Sequence, residues 1–125
     1  MNRREAGNVG EAAVCDHLIN KGWNIVSRNY TIKGGEVDII AANGDIIAFI
    51  EVKTRDENAV ESGFFAVTKA KRLRIIKTAQ HYFYHHKCEL QPRFDVAAVE
   101  TKNGKAISVD YIENAFDMSD THIIF

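Results

Sequence analysis

Asn43-Gly44 stands between two long apolar runs, EVDIIAA before it and DIIAFIEVK after it. A tight two-residue hairpin loop needs residues that tolerate positive φ, and Asn-Gly is a strong signal for one, so the runs are expected to fold back on each other as antiparallel strands. Once the loop length is set, the pairing register is set as well, and with it the face on which every side chain falls.

With Asn43 and Gly44 as the loop, Ala42 pairs with Asp45, Asp38 lies opposite Phe49 and Glu36 lies opposite Glu51. Alternation then gathers Glu36, Asp38, Phe49, Glu51 and Lys53 on one face, with Asp38 diagonal to Glu51 at a Cα distance of roughly 7 to 8 Å. A three-residue loop would turn Glu51 to the other face. Neighbouring carboxylates repel and are costly to half-bury, so they stay apart, face water or share a positive partner. A divalent cation is one such partner: Mg²⁺ takes oxygens from one or two carboxylates and keeps its other positions for water and a phosphate oxygen. Lys53 could then orient a water or offset charge developing on the phosphorus. The alternative is a wet sheet face on which Asp38, Glu51 and Lys53 are salt-bridged to one another, and a D…ExK pattern alone is too short to choose between them.

The rest of the chain frames this hairpin. Val9, Ala12, Ala13, Leu18 and Ile19 have helical spacing from about Glu5 to Lys21, where Lys21-Gly22 marks a stop. WNIVSRNY reads as a strand and KGG as a turn, and after DIIAFIEVK a loop is expected from Thr54 to about Ser62. Val67, Ala70, Leu73, Ile76, Ala79 and Phe83 predict a long helix ending near His86. RFDVAAVE and KAISVDYIE, joined by KNGK, read as two further strands. The predicted order is α-β-β-β-α-β-β, a mixed α/β fold, and 125 residues without repeats or Gly/Ser linkers suit a single domain, 1-125.

Cys15 and Cys88 are far apart and in no metal-site or disulfide spacing. The charged start MNRREAGNVGE has no apolar stretch behind it and no run approaches membrane-spanning length, so a cytoplasmic location and no membrane partner are expected. A formal net charge of -1 means that nucleic acid, if bound, must be held by a local basic patch. Lys69, Lys71, Arg72, Arg74 and Lys77 form one at the start of the second helix, with no acid among residues 66–79; it could contact phosphates or simply be a solvated helix face. His81, His85, His86 and Cys88 lack a second ligand pair and read as surface or helix-end residues rather than a zinc site.

Gly10-Glu11, Arg28-Asn29-Tyr30, Gly35-Glu36-Val37-Asp38, Phe49-Ile50-Glu51-Val52-Lys53-Thr54-Arg55, Lys71 and Arg93-Phe94-Asp95 follow one another in an order and spacing that closely resembles the YraN-type family of small bacterial proteins, predicted to be nucleases. That family is similar to archaeal Holliday-junction resolvases and to the PD-(D/E)xK, or restriction-endonuclease-like, superfamily. The resemblance runs from about Gly7 to Val99. It implies a restriction-endonuclease-like α-β-β-β-α-β core, with Asp38 and Glu51 as metal-binding acids, Lys53 as catalytic lysine and Glu11 as an additional helix carboxylate at the metal. Mg²⁺ or Mn²⁺ is the implied cofactor. DNA is the implied partner, contacted by Arg55, Lys69, Lys71 and Arg72; a homodimer would suit a branched substrate, and a protein partner would suit a module that binds without cutting. Gln80 and Tyr84 also match a QxxxY spacing of one branch of that superfamily, although Tyr82-Phe83 fits this family's helix better.

Overall fold

The runs flanking Gly44 do form an antiparallel hairpin, but Asn43 pairs with Ile46, so the two loop residues are Gly44 and Asp45. Gly44 has φ +58, whereas Asn43 and Asp45 stay out of the left-handed region. The turn thus places glycine at its first central position and does not need positive φ at both. Relative to the expected register each strand moves by one residue. That even shift preserves the faces from the loop as far as the last ladder pair, Ile39 with Ile50, and brings Asp38, one step past it, to the position directly across from Glu51.

The computed structural model describes residues 2–58 and 67–120. Its elements are α1 (Arg3–Asn20), β1 (Asn24–Ile32), β2 (Gly35–Asn43), β3 (Ile46–Asp56), α2 (Lys69–His86), β4 (Gln91–Lys102) and β5 (Lys105–Phe116), followed by a 3-10 turn, Met118–Asp120. The order is α-β-β-β-α-β-β, that of a restriction-endonuclease-like fold. The five strands lie in the sequence β1-β2-β3-β4-β5, with β3 and β4 parallel and every other pair antiparallel. Strand β3 runs through Thr54 and Arg55 to Asp56, where a loop was expected, because β4 is long enough to pair with it as far as Thr101. The remainder of that expected loop, towards Ser62, reaches residues 59–66, which lie outside the described residues.

Alternation along β3 distributes the core between the two helices. Ile47 and Phe49 pack with Ile75, Ile76 and Ala79 of α2, while Ala48 and Ile50 pack with Val14, Cys15 and Leu18 of α1. Burying a side chain such as Phe49 or Ile50 contributes about 1.5–3 kcal/mol, so each face is held by several such residues. Ala70, placed in the expected apolar stripe of α2, is exposed, and the helix turns Ile75, Ile76, Thr78 and Ala79 inward instead.

Two glycines allow the helices to close on the sheet. A Cβ on Gly10 would collide with Thr54 Oγ1 and stand 3.2 Å from Thr54 Cβ, so α1 can lie this near β3 only without a side chain there. A Cβ on Gly35 would collide with Thr78 Oγ1 and stand 3.0 Å from the Arg74 carbonyl oxygen, which brings α2 down over the start of β2.

Candidate active site

Strands β2 and β3 part at Asp38. Val37 and Ile40, three residues apart, belong to the cluster under α2, and Ile39 between them belongs to the cluster under α1, so strict alternation breaks at this point. The Asp38 side chain fills the gap: its Oδ2 accepts a hydrogen bond of 2.8 Å from the Val52 amide, in the place where a ladder partner would stand. Glu51 lies on the α2 face with only 4% of its surface exposed.

The surroundings of this carboxylate pair are set by both helices. Lys71 Nζ, from the first turn of α2, sits 3.0 Å from Glu51 Oε1, and Lys53 Nζ lies 3.9 Å from the same oxygen. Burial alone would lower the pKa of the Lys71 ammonium, but the adjacent Glu51, and Asp38 behind it, outweigh burial and raise it above the ordinary lysine value. From α1, Glu11 is buried, with Arg28 Nη2 at 3.6 Å from its Oε1, and that oxygen has no hydrogen-bond partner. The Asp38 carboxyl is pushed up to about 7, chiefly by burial and then by the charge of Glu51, with Glu11 adding to it and the Val52 hydrogen bond opposing.

The donor set suits a hard divalent cation. An unsatisfied buried oxygen on Glu11 and a carboxyl on Asp38 pushed far above its normal range are both deficits that positive charge among these acids would relieve. Among the described residues no three His, Cys, Asp or Glu side chains already converge as a metal cage. A site of the magnesium type would not require one, because two carboxylates with waters and a phosphate suffice. A groove of about 430 Å³ opens onto the pair, lined by Gly35, Glu36, Lys71, Arg74 and Ile75 among others. Glu36 is exposed and also lines a second groove, with Arg4, Asn8, Glu11 and Asn29, on the α1 side.

The other expected site residues are distributed differently. Arg55 pairs with Glu100 at 3.0 Å and lines a separate groove with Asp56 and Thr101. Arg72 donates to the Val67 carbonyl at 2.8 Å, and Lys69 is exposed. Of the four basic residues expected to meet nucleic acid, Lys71 is therefore the one in contact with the acid pair. Tyr84 is exposed, whereas Tyr82 and Phe83 pack against the core. His81 and His85 stack with centroids 4.0 Å apart, and His81 Nδ1 is 2.8 Å from the Tyr30 hydroxyl.

Asp95, on β4, has no exposed surface and faces α1, away from Glu51. It is bound by Arg93 Nε and Nη2 at 2.9 Å each, by the Tyr111 hydroxyl at 2.6 Å and by the Asn114 amide at 2.8 Å. With every lone pair engaged, this carboxylate anchors β4 to β5. The Arg28 contact with Glu11 had no signal in the sequence, because it depends on β1 pairing Arg28 with Ile39 on the α1 side.

A protein-family profile described as "Uncharacterised protein family UPF0102" matches residues 10–99. A protein of Dictyoglomus thermophilum is 41% identical over 118 residues, which span 93% of this chain and 100% of the relative. One from Trichlorobacter lovleyi is 39% identical over 115 residues, covering 90% of this chain and 91% of the relative. One from a Synechococcus strain is 37% identical over 122 residues, 92% of either chain. Each of the three carries the name UPF0102 protein.

Proposed function

The chain belongs to the uncharacterised family UPF0102, and from that membership together with the geometry of its acid centre we propose that it is a metal-dependent nuclease that hydrolyses phosphodiester bonds in DNA, branched or damaged DNA being the substrate class. The observation that carries this reading is the pairing of half-buried Asp38 with buried Glu51, in which Asp38 is pushed up to about 7 by burial and by the acids around it. Carboxylates forced together in this way are a recurrent mark of a functional site.

Asp38 and Glu51 would hold Mg²⁺ or Mn²⁺, with Glu11 on the α1 side completing the acid set. The ion would place positive charge against a phosphate oxygen and make a water easier to deprotonate. Lys53, with its ammonium 3.9 Å from Glu51, is placed to orient the attacking water and to offset negative charge as the phosphorus–oxygen bond breaks. Lys71 and Arg74 line the groove that leads to the acids and would take the flanking phosphates. Basic residues in the first turn of a helix stand at the positive end of its dipole, an arrangement that favours an anion beside them.

A second reading is favoured by one observation: two lysines already compensate Glu51. On that reading the protein is a nucleic-acid-binding or adaptor module that keeps the nuclease fold and cuts nothing itself. Labelled linear, single-stranded, flapped and four-way-junction DNA, incubated with Mg²⁺ or Mn²⁺, separates the two. The nuclease reading expects cutting by the wild type that is lost in Glu51→Ala and Lys53→Ala variants of normal fold. Salt-dependent binding that survives in Glu51→Ala, with no cutting by the wild type under either metal, would support the module instead.

A further inference from the structure

We propose that Lys71 is the resident counter-ion of the acid centre: its ammonium holds Glu51 until a divalent cation takes the carboxylate, and is then released towards the phosphate in the groove. The proposal rests on the nuclease reading for the identity of that cation and that phosphate.

A carboxylate as buried as Glu51 is strongly destabilising if left without a positive partner. A centre that binds its metal reversibly therefore needs an internal cation for the intervals between. Lys71 Nζ, at 3.0 Å, fills that role more closely than Lys53 Nζ at 3.9 Å. Lys53 also stands on the same strand as Glu51, whereas Lys71 arrives from α2, across the groove that opens onto both acids.

Residue type and position fit an exchanging group. Lysine is a compact charge on a flexible four-carbon stem, able to reach a carboxylate in one rotamer and a phosphate in another; arginine's planar fork is less suited to such a swing. The Lys71 side chain is 38% exposed, so its far end can leave Glu51 into the groove without opening the core. Its neighbour Arg72 is tied to the Val67 carbonyl and is not free to replace it. The Lys71 backbone is fixed, because its amide donates to the Thr68 side chain at the start of α2. Motion is thereby confined to the side chain.

Two positive charges competing for one carboxylate must weaken each other's binding by the same factor. Calorimetric titration of the whole protein with MnCl₂ alone, without DNA and at about pH 8, above the Asp38 range, measures that factor. Lys71→Met, which keeps the apolar stem, is expected to bind Mn²⁺ about tenfold more tightly than wild type, a typical size for coupled sites. Lys77→Met, which removes the same charge further along α2, should match wild type. If Lys71→Met gains no more than Lys77→Met, the exchange is refuted. Should Lys71→Met not fold, the wild type supplies the answer through its lysine ammonium resonances: saturating Mg²⁺ should displace the Lys71 signal, and an unmoved signal refutes the exchange equally. Wild type, Lys71→Met and Lys77→Met all failing to bind Mn²⁺ would overturn the nuclease reading together with this one, whereas binding without the gain overturns this one alone.

Discussion

Replacing Asp38 by asparagine should stabilise this protein above neutral pH while removing the hold on a divalent cation proposed for it. The folded chain raises the Asp38 carboxyl from 3.8 to about 7, through burial first and the neighbouring acids second. Because the folded value lies above the unfolded one, the native state keeps a proton that the unfolded chain releases. The penalty is absent below about pH 4, grows as pH rises through the interval, and is complete above about pH 7. Over that interval it amounts to about 4 kcal/mol at most, a large part of an ordinary domain's stability. The substituted asparagine would carry no charge and could still accept the Val52 amide through its side-chain carbonyl. Urea unfolding of wild type and Asp38→Asn at about pH 4 and about pH 8 isolates the effect, since every other titrating group is shared. The variant's advantage should grow by about 2 to 4 kcal/mol between the two conditions, and Mg²⁺ should narrow the gap at the higher pH by stabilising wild type only. An advantage that does not change with pH, or a variant less stable than wild type at about pH 8, would refute the electrostatic account of this centre.

Two further expectations follow from the packing. Gly10→Ala should lose about 1 to 3 kcal/mol in thermal melts through the collision with Thr54, and Thr54→Ala in the same chain should recover most of it; no loss in the single variant would show that α1 can back away from β3. Tyr111→Phe should destabilise by about 1.5 to 3 kcal/mol by removing a bond to the buried Asp95 charge, and should leave any cleavage rate unchanged, because Asp95 lies on the face away from Glu51. A loss of cleavage without a loss of stability would contradict that assignment.

What was legible in the sequence followed from short-range physics. The two runs around Gly44, the helix spacing of Ala13 and Leu18 or of Ile76 and Ala79, and the KNGK turn each report a local preference, and together they yield the element order. The gathering of Asp38 and Glu51 was legible because a two-residue loop keeps the parity of the pairing even when the loop slides by one residue. The slide itself was not, since Asn-Gly and Gly-Asp can both occupy a two-residue turn. Long-range contacts left less trace. Lys71 reaches Glu51 only because α2 crosses over the start of β2, close above Gly35, and no spacing within α2 reports that. Asp95 is a strand acid, as Asp38 and Glu51 are. It differs in facing α1, where Arg93, Tyr111 and Asn114 claim it.

A divalent cation shared by Asp38 and Glu51 is the centre of the proposed function. Anomalous diffraction from crystals of the wild type soaked in Mn²⁺ tests that most directly. The expected result is a peak between these two carboxylates that disappears in Asp38→Asn crystals. No peak at saturating Mn²⁺, or one bound elsewhere, such as at His81 and His85, would contradict it.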